Sequence, residues 1–456
     1  MDNGIESKLY KAYLFFLPLG IFMRYEVPLQ AYLFSMFSCF FFWPGLLLML
    51  TRRNKQLVPS LLRGWRKVTL FQSVYSFLMA AILLVPLGPL NGENTIRACI
   101  GMIVFGIVVL MHLTYNVYAF SRLITWKQAE RIFHKSIYVL LFVGYLQLAT
   151  IRIGGPFAVL YHGLGSVFFL TSNLERGVQF FGSEASAVAT LFIFVVPYLM
   201  MKVLNTKIFN IWKNMDLLLL VLFIPLFITS NSSSVLLSLV MVAAIFICMF
   251  FRYHMFYKIC LLGSFMIGFS LALAYGLGDM TFQGKSYEQD DLEYILLGKI
   301  TDTENHSTMM RSSSIVNDMK IFFKYPLTGV GDGLQGYWYN ENLPMIYLAS
   351  SEVDDLVRGK NGIADGGGAY FPLMLSAYGL IGICFLIICL GGYKEYMIPK
   401  KIERDIPVPI GMFRIFICIF LSSGWFGLGI RQNFVVCFAM SLPMIYQVLE
   451  MKKKGE

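Results

Sequence analysis

The chain has 456 residues, of which 57% are hydrophobic and 14% are charged. In a soluble domain about a quarter of the residues are charged, so this composition excludes a water-soluble globular protein and predicts an integral membrane protein. The net charge of +10 does not indicate nucleic-acid binding, because Lys and Arg are concentrated beside the apolar stretches. All eight cysteines lie in or next to those stretches without metal-ligand spacing, so we expect neither a disulfide nor a zinc site.

Twelve apolar stretches follow one another along the chain, and most are long enough to cross about 30 Å of hydrocarbon as helices. They lie near residues 10–23, 27–50, 68–90, 98–121, 136–150, 186–202, 216–230, 234–251, 257–277, 369–391, 408–428 and 433–449. Helices are expected because an open strand would leave backbone groups unpaired in lipid. The chain is therefore predicted to be an all-α, polytopic integral membrane protein with a single transmembrane domain over residues 1–456.

The distribution of basic residues predicts the orientation of these spans. With the N-terminal tail inside, the inside segments carry 24 Lys and Arg and the outside segments carry 12, although the outside segments contain more residues. Loops rich in Lys and Arg remain in the cytoplasm. We therefore expect both termini on the cytoplasmic side. Arg414 falls inside the eleventh span, where a side chain that snorkels to the membrane surface is the simplest interpretation.

Two of the predicted outside loops are long. Residues 151–185 are half apolar and rich in glycine, which favours a partly re-entrant loop that turns back against the membrane. Residues 278–368 form a loop of about ninety residues between the ninth and tenth spans, which is too long for an unstructured connection. We expect the function of the protein to lie in these two periplasmic loops.

A helix and a glycine-rich turn are predicted inside the large loop. From Ser307 to Tyr325 the apolar residues recur at near-helical spacing, Ser307 can cap the helix, and Pro326 stops it. The segment LTGVGDGLQGY follows, in which Gly329 and Gly331 allow the backbone to approach another group closely.

Three arginines on the outside are candidates for binding an anion: Arg152, Arg176 and Arg311. They are conspicuous because the large loop carries fourteen acidic and seven basic residues. A guanidinium group stays charged, and its planar fork of donors suits a phosphate or pyrophosphate. The alternative interpretation is an interfacial anchor or a local ion pair, such as Arg311 with Asp318, which shares a polar stripe with it on the predicted helix.

Four residues of the large loop are candidates for a general base, namely His306, Asp318, Glu352 and Asp365. Each is equally explained as a solvated side chain that keeps the loop soluble. The sequence does not choose among them.

Three stretches, taken in order, resemble a known family. The first is Arg176-Gly-Val-Gln-Phe-Phe-Gly before the sixth span, and the second is the turn Ser230-Asn-Ser-Ser-Ser before the eighth. The third combines Arg311 on its helix, Tyr325-Pro-Leu-Thr-Gly-Val-Gly-Asp-Gly, and Phe371-Pro-Leu-Met-Leu-Ser-Ala-Tyr-Gly-Leu-Ile-Gly at the tenth span. With the predicted topology, these stretches are similar to the pattern of O-antigen polymerases (Wzy) and O-antigen ligases, which are bacterial membrane glycosyltransferases.

The resemblance is closer to the polymerase branch than to the ligase branch. Ligases usually carry a histidine just before the tenth span, where this chain has Gly368 and Ala369. The resemblance implies a GT-C-like fold in the bacterial inner membrane. The implied activity is polymerisation of undecaprenyl-diphosphate-linked oligosaccharide repeat units into O-antigen or a similar surface polysaccharide at the periplasmic face.

The resemblance also implies roles for individual residues. Arg176 and Arg311 would be catalytic, and Arg152, Gly329 and Gly331 would bind substrate. The partners it implies are the lipid-linked donor and acceptor, membrane lipid and a chain-length regulator protein. No cofactor and no metal ion are expected.

Two alternative functions remain open. An O-antigen ligase would transfer finished polymer to lipid A-core and would share most of these motifs. A flippase for the same lipid-linked unit would also have about twelve spans, but flippases usually have short loops and charged residues inside several spans.

Overall fold

The computed structural model describes most of the chain between residues 3 and 20, 36 and 51, 60 and 87, 122 and 168, 177 and 181, 187 and 230, 306 and 357, and 369 and 390. It also describes isolated positions at 107–119, 174, 262–270, 408, 412 and 424–425. All regular secondary structure within these residues is helical, and none of it is strand. The predicted all-α class is confirmed for this part of the chain.

The helices are numbered in chain order. They are α1 (Asn3–Gly20), α2 (Met36–Thr51), α3 (Ser60–Leu87), α4 (Trp126–Arg152), α5 (Pro156–Phe168), α6 (Ala187–Thr206), α7 (Met215–Ile228), α8 (His306–Lys324), α9 (Tyr339–Asn342), α10 (Ser351–Val357) and α11 (Tyr370–Leu390). Two 3-10 helices, Gln335–Trp338 and Met345–Ala349, flank α9.

Seven of the predicted apolar stretches coincide with helices α1, α2, α3, α4, α6, α7 and α11. The stretches 98–121, 234–251, 257–277, 408–428 and 433–449 lie largely or wholly outside the described residues. Among the described helices, Trp126–Arg152 and Tyr370–Ile388 are long and apolar enough to cross a membrane. The shorter apolar helices are Phe40–Thr51, Lys67–Ile82 and Met215–Ile228.

Helix α4 begins ten residues before the apolar stretch that predicted it. Its start is held by the side chain of Gln128, whose oxygen accepts a hydrogen bond from the backbone N–H of Thr125 at 3.1 Å. The first turns are amphipathic rather than apolar, with Ala129 and Phe133 buried. A search for apolar stretches misses such a beginning because charged residues interrupt it.

The helices pack in two sets. In the first set, α1 packs against α2 and α4, while α4 also contacts α5 and α7, and α6 packs against α7. In the second set, α11 lies between α3 and α8, and α9, α10 and the 3-10 helices surround α8. Helix α8 is therefore joined through α11 to a helix that is far from it in sequence.

The predicted helix of the large loop is confirmed as α8, which ends at Lys324 before Pro326. Both its apolar and its polar residues are buried. Met309 and Met319 join a hydrophobic cluster that reaches Trp425 near the C-terminal part of the chain. Asp318, which shares the predicted polar stripe with Arg311, is fully buried, as is Ser314 one turn before it. These two side chains therefore face the interior of the protein.

Candidate functional site

Helix α11 is split at Gly379. This glycine has φ 56° and ψ −170°, which lies outside the helical region and is accessible essentially to glycine alone. The break separates the segment 370–378 from the segment 380–390. Each new helix end would leave backbone N–H or C=O groups without a partner unless another part of the chain supplied one.

The backbone of residues 326–331, here called the docking segment, supplies those partners. On one side of the break, Leu380 and Ile381 donate their N–H groups to the carbonyls of Pro326 and Leu327 at 2.9 and 3.0 Å. The docking segment therefore enters the break and caps the beginning of the second half of α11.

The other side of the break is capped in the same way. The N–H groups of Val330 and Gly331 donate to the carbonyls of Ser376 and Ala377 at 2.9 and 2.8 Å. Four hydrogen bonds between backbones thus join the docking segment to the two halves of α11.

Two glycines make this close approach possible. A Cβ atom at Gly379 would lie 2.5 Å from the backbone of Leu327, and one at Gly329 would lie 2.5 Å from the carbonyl oxygen of Ser376. Atoms this close overlap, and backbone atoms cannot move aside as a flexible side chain can. Gly329 also has a positive φ of 63°, which favours glycine. The predicted close approach is confirmed, and the group approached is the backbone of α11.

Helix α3 covers the docking segment from a third direction. The Tyr75 hydroxyl donates a hydrogen bond to the Thr328 carbonyl oxygen. A Cβ atom at Gly331 would lie 2.7 Å from the Cβ of Met79, so this glycine also fits against a neighbouring helix. Three helices, α3, α8 and α11, therefore meet at the docking segment.

A row of buried polar side chains runs along the contact between α8 and α11. The Ser376 hydroxyl of α11 donates to Asp318 Oδ1 of α8 at 2.8 Å, and both residues are fully buried. One residue past the docking segment, Asp332 Oδ2 accepts a bond from the Tyr378 hydroxyl at 3.3 Å. Buried polar groups need such partners, and each pair fixes one element relative to another.

Further hydrogen bonds tie α8 to the segment that follows the glycine-rich turn. Asn317 Nδ2 donates to the Gln335 carbonyl oxygen at 3.0 Å, and Asn342 Nδ2 donates to Asn317 Oδ1 at 2.9 Å. The Tyr339 hydroxyl donates to Ser314 Oγ at 3.1 Å. Helix α8 is therefore hydrogen-bonded both to α11 and to the segment around α9, through neighbouring positions on one helix face.

A second docked segment, Gly177–Phe181, lies directly after Arg176. It is held by Gln147 of α4, whose side-chain oxygen accepts from the N–H groups of Gln179 and Phe180 at 3.0 and 2.7 Å. The amide nitrogen of Gln147 donates to the Phe180 carbonyl oxygen at 2.6 Å. Gln147 is fully buried, so these bonds are shielded from water.

The same segment also contacts the end of α7. The N–H of Val178 donates to the carbonyl oxygen of Thr229 at 3.2 Å. Gly177, with φ 98°, lies so close to Thr229 that a Cβ atom would overlap the Thr229 carbonyl oxygen. The residue after Arg176 is thereby fixed between α4 and α7.

Arg152 lies at the end of α4, and its side chain is exposed. Gly154 and Gly155, both with positive φ, then turn the chain so that α5 runs back along α4. Tyr161 of α5 is buried and accepts a hydrogen bond from Gln147 Nε2 at 3.0 Å, and burial raises the pKa of this tyrosine. His162, next to it, is exposed. Gln147 therefore holds both α5 and the segment Gly177–Phe181 against α4.

The opposite end of the same helices carries a cluster of ionisable side chains that the sequence analysis missed. His134 Nε2 is 2.7 Å from Asp216 Oδ1, and His134 Nδ1 is 2.9 Å from the Glu130 carbonyl oxygen and 3.2 Å from the Tyr198 hydroxyl. Lys202 Nζ is 3.1 Å from Glu130 Oε1. The Glu130 carbonyl oxygen and the Asp216 carboxylate are acceptors, so both ring nitrogens are placed to donate. The hydrogen bond from His134 to Asp216 and the ion pair between Lys202 and Glu130 thus tie α4 to α7 and α6.

The structure places only some of the predicted site residues. Arg176 and Asp365 lie outside the described residues, as do the side chains of His306, Arg311 and Glu352. Position 311 is in α8, seven residues before Asp318 and hence on the same helix face. Gly329 and Gly331 are buried against α11 and α3, and Asp318 is buried against α11.

Searches against protein-family models, curated proteins and solved structures found no match for this chain. Among the described side chains, no group of three or more His, Cys, Asp or Glu is arranged to hold a metal ion.

Proposed function

We propose that this protein is a polytopic membrane glycosyltransferase that polymerises undecaprenyl-diphosphate-linked oligosaccharide repeat units at the periplasmic face of the bacterial inner membrane. In this proposal twelve spans cross the membrane, both termini are cytoplasmic, and residues 151–185 and 278–368 are the periplasmic loops. The growing glycan is transferred from its lipid carrier to the non-reducing end of the next lipid-linked unit. The leaving group is undecaprenyl diphosphate.

The proposal rests mainly on one observation: the separate parts of the third stretch that resembles the family lie together in the structure. Its Pro-x-x-Gly-x-Gly part is residues 326–331, and its Tyr-Gly-Leu-Ile-Gly part contains Gly379. These two parts are about fifty residues apart in sequence, yet they share four backbone hydrogen bonds. The glycines of the pattern are thus explained by a single interlocked geometry, with the arginine-bearing helix α8 attached to it.

The chemistry requires cations near a diphosphate. When the bond from the anomeric carbon to the phosphate breaks, negative charge builds on the leaving oxygen, and a preorganised cation stabilises that charge in the transition state. We assign this role to Arg176 and Arg311, with Arg152 as a binding residue. Arginine suits it because the guanidinium fork can donate two hydrogen bonds to one phosphate.

The acceptor hydroxyl must lose a proton, and a carboxylate or imidazole within hydrogen-bond reach is the usual base. Asp318 is fully buried and accepts a hydrogen bond from Ser376, which suits a residue that positions α8 rather than one that meets the acceptor. His306, Glu352 and Asp365 are then the candidates for the base.

The test is deletion of the gene followed by electrophoresis of the surface polysaccharide. A polymerase deletion leaves a single repeat on the core and no ladder. Loss of all polymer from the core, with polymer accumulating on the lipid carrier, would indicate a ligase instead. Loss of even the single repeat would indicate a flippase.

Complementation with single variants tests the arginines. Arg176→Ala and Arg311→Ala should each fail to restore the ladder at wild-type protein levels in the membrane. Lys324→Ala is the matched control, because it removes an exposed cation from the same helix as Arg311. Normal ladders from both arginine variants would contradict the assigned mechanism.

A further inference from the structure

We propose that the docking segment and Gly379 form a positioning device that sets α8, and with it position 311, relative to the split helix α11. The inference rests on the proposed function, since it concerns the helix that carries Arg311. In this device Gly329, Gly379 and Ser376 are positioning residues, and none of them needs to contact the substrate.

The first argument is that the break in α11 and the docking segment complement each other. At the break, the N–H groups of Leu380 and Ile381 and the carbonyls of Ser376 and Ala377 all bond to the docking segment. A helix broken inside a lipid-facing span needs such internal partners, because the surrounding hydrocarbon offers none. The split form of α11 therefore depends on the docking segment being in place.

The second argument is that the docking segment and α11 together hold α8 at two separate points. The docking segment follows the C-terminal end of α8 directly and fixes that end, with Tyr325 N–H still bonded to the Ile321 carbonyl oxygen at 2.8 Å. The bond from Ser376 to Asp318, at 2.8 Å, fixes the helix about two turns further back. Two attachments along a rigid helix set both its direction and its rotation.

The third argument concerns the distance to Arg311. Position 311 lies seven residues before Asp318, the nearer of the two attachment points, which is about 10 Å along a helix. At that distance a small tilt of the axis becomes a displacement of an ångström or more, and misplacement on this scale costs about a hundredfold in rate. The positioning device, at the other end of α8, can therefore affect the reaction without contacting the substrate.

The experiment measures docking and polymerisation separately. Leu327 is replaced by p-benzoyl-L-phenylalanine, because its side chain is exposed and its carbonyl oxygen accepts a hydrogen bond from the N–H of Ile381 at 3.0 Å. On irradiation of native membranes the benzophenone inserts into nearby C–H bonds, which needs no ionised group, and it should cross-link residue 327 to α11. Adding Gly379→Ala should reduce the cross-linked yield at least tenfold, because alanine overlaps Leu327 and rarely adopts this backbone conformation.

Polymerisation is then followed with purified protein and lipid-linked repeat units. Gly379→Ala should lower kcat at least tenfold with little change in KM, because the positioning device acts on the geometry of the transition state and not on uniform binding. Leu380→Ala is the matched control: its side chain is exposed, it is adjacent in sequence, and its N–H remains. It should behave as wild type in both assays.

A milder variant covers the case in which Gly379→Ala does not fold. Ser376→Ala removes the hydroxyl that binds Asp318 without straining the backbone, and it should lower kcat about three- to tenfold. Ser376→Thr keeps the hydroxyl and should recover most of that loss. Equal kcat for wild type and Ser376→Ala would overturn the second attachment point.

The outcomes separate this inference from the proposed function. If Gly379→Ala abolishes the cross-link while kcat is unchanged, the positioning device is wrong and the polymerase proposal stands. If the cross-link persists in Gly379→Ala, docking does not depend on this glycine and the inference is also overturned. If wild-type protein does not polymerise the repeat units, the proposed function fails, and with it the role of this device in positioning Arg311.

Discussion

Replacement of Gln147 by leucine removes the side chain that holds the segment after Arg176. Leucine has a similar volume, so the packing of α4 is largely kept while the hydrogen bonds are lost. Two backbone N–H groups, those of Gln179 and Phe180, lose the acceptor that lies 3.0 and 2.7 Å away in the native protein. Phe180 is the more sensitive of the two, because it has a left-handed φ of 53°, an uncommon conformation for a bulky residue.

The magnitude follows from the number of groups left without a partner. A buried N–H that loses its acceptor costs about 1–3 kcal/mol. Counting only the two N–H groups, at the lower part of that range, Gln147→Leu should destabilise the docked segment by about 2–3 kcal/mol. Since 1.4 kcal/mol is a factor of ten, the open form of the segment should become about 30- to 150-fold more populated.

The assay is cysteine reactivity at Val178, which is fully buried and lies within the docked segment. Val178→Cys is introduced, and its reaction with a water-soluble maleimide is followed by mass spectrometry in lipid nanodiscs. With Gln147→Leu the rate should rise about 30- to 150-fold. Phe142→Leu, on the exposed face of the same helix, is the control and should leave the rate unchanged. A change below threefold with Gln147→Leu would refute the view that this side chain holds the segment.

Three further predictions concern other contacts. His134→Gln and Asp216→Asn should change the free energy of unfolding non-additively, because each breaks the same bond of 2.7 Å. A double-mutant cycle on thermal unfolding should give a coupling energy of about 1–3 kcal/mol. Additive effects would contradict the pairing of these two side chains. Tyr75→Phe should destabilise the docked state of residues 326–331 by about 1 kcal/mol, because it removes the hydrogen bond from Tyr75 to the docking segment. The cross-linking yield between that segment and α11 should then fall at elevated temperature, and an unchanged yield would contradict this role of Tyr75. The hydrogen bond with Glu341 raises the pKa of Lys324 above its ordinary 10.5, so any stabilisation from this exposed pair is present at neutral pH and is lost only as the pH rises through the raised pKa. Glu341→Gln should leave the melting temperature unchanged at pH 7, because an exposed ion pair contributes little to stability. A clear decrease would show that the pair is more than a surface contact.

The sequence predicted features whose causes are local. Helix α8 was predicted from the spacing of its apolar residues and from Pro326, because both act within a few turns. The glycine-rich turn was recognised as a site of close backbone approach for the same reason. In each case the residues that determine the structure are adjacent in the chain.

The partners of these features were not predicted, because they are distant in sequence. Nothing in the turn indicates that it contacts a helix about fifty residues later, and a lone glycine inside an apolar stretch is usually tolerated without a break. The role of Gln147 could not be predicted either, since a single polar residue near the end of a predicted span is usually explained by a position at the membrane surface. The contact between His134 and Asp216 could not be predicted, because both residues fall at the edges of the predicted spans, where charged residues are common.

The split in α11 has a consequence for how the protein is assembled. Each half is at most eleven residues long, or about 17 Å, which is too short to cross the membrane alone. In an unbroken α11, Leu380 and Ile381 would donate to the carbonyls of Ser376 and Ala377 by the ordinary helical pattern, and these are the four groups that now bond to residues 326–331. In the proposed topology the helix can enter lipid whole and later exchange its own four hydrogen bonds for those of residues 326–331. The four backbone groups at the break are thus bonded both in an unbroken helix and in the split one.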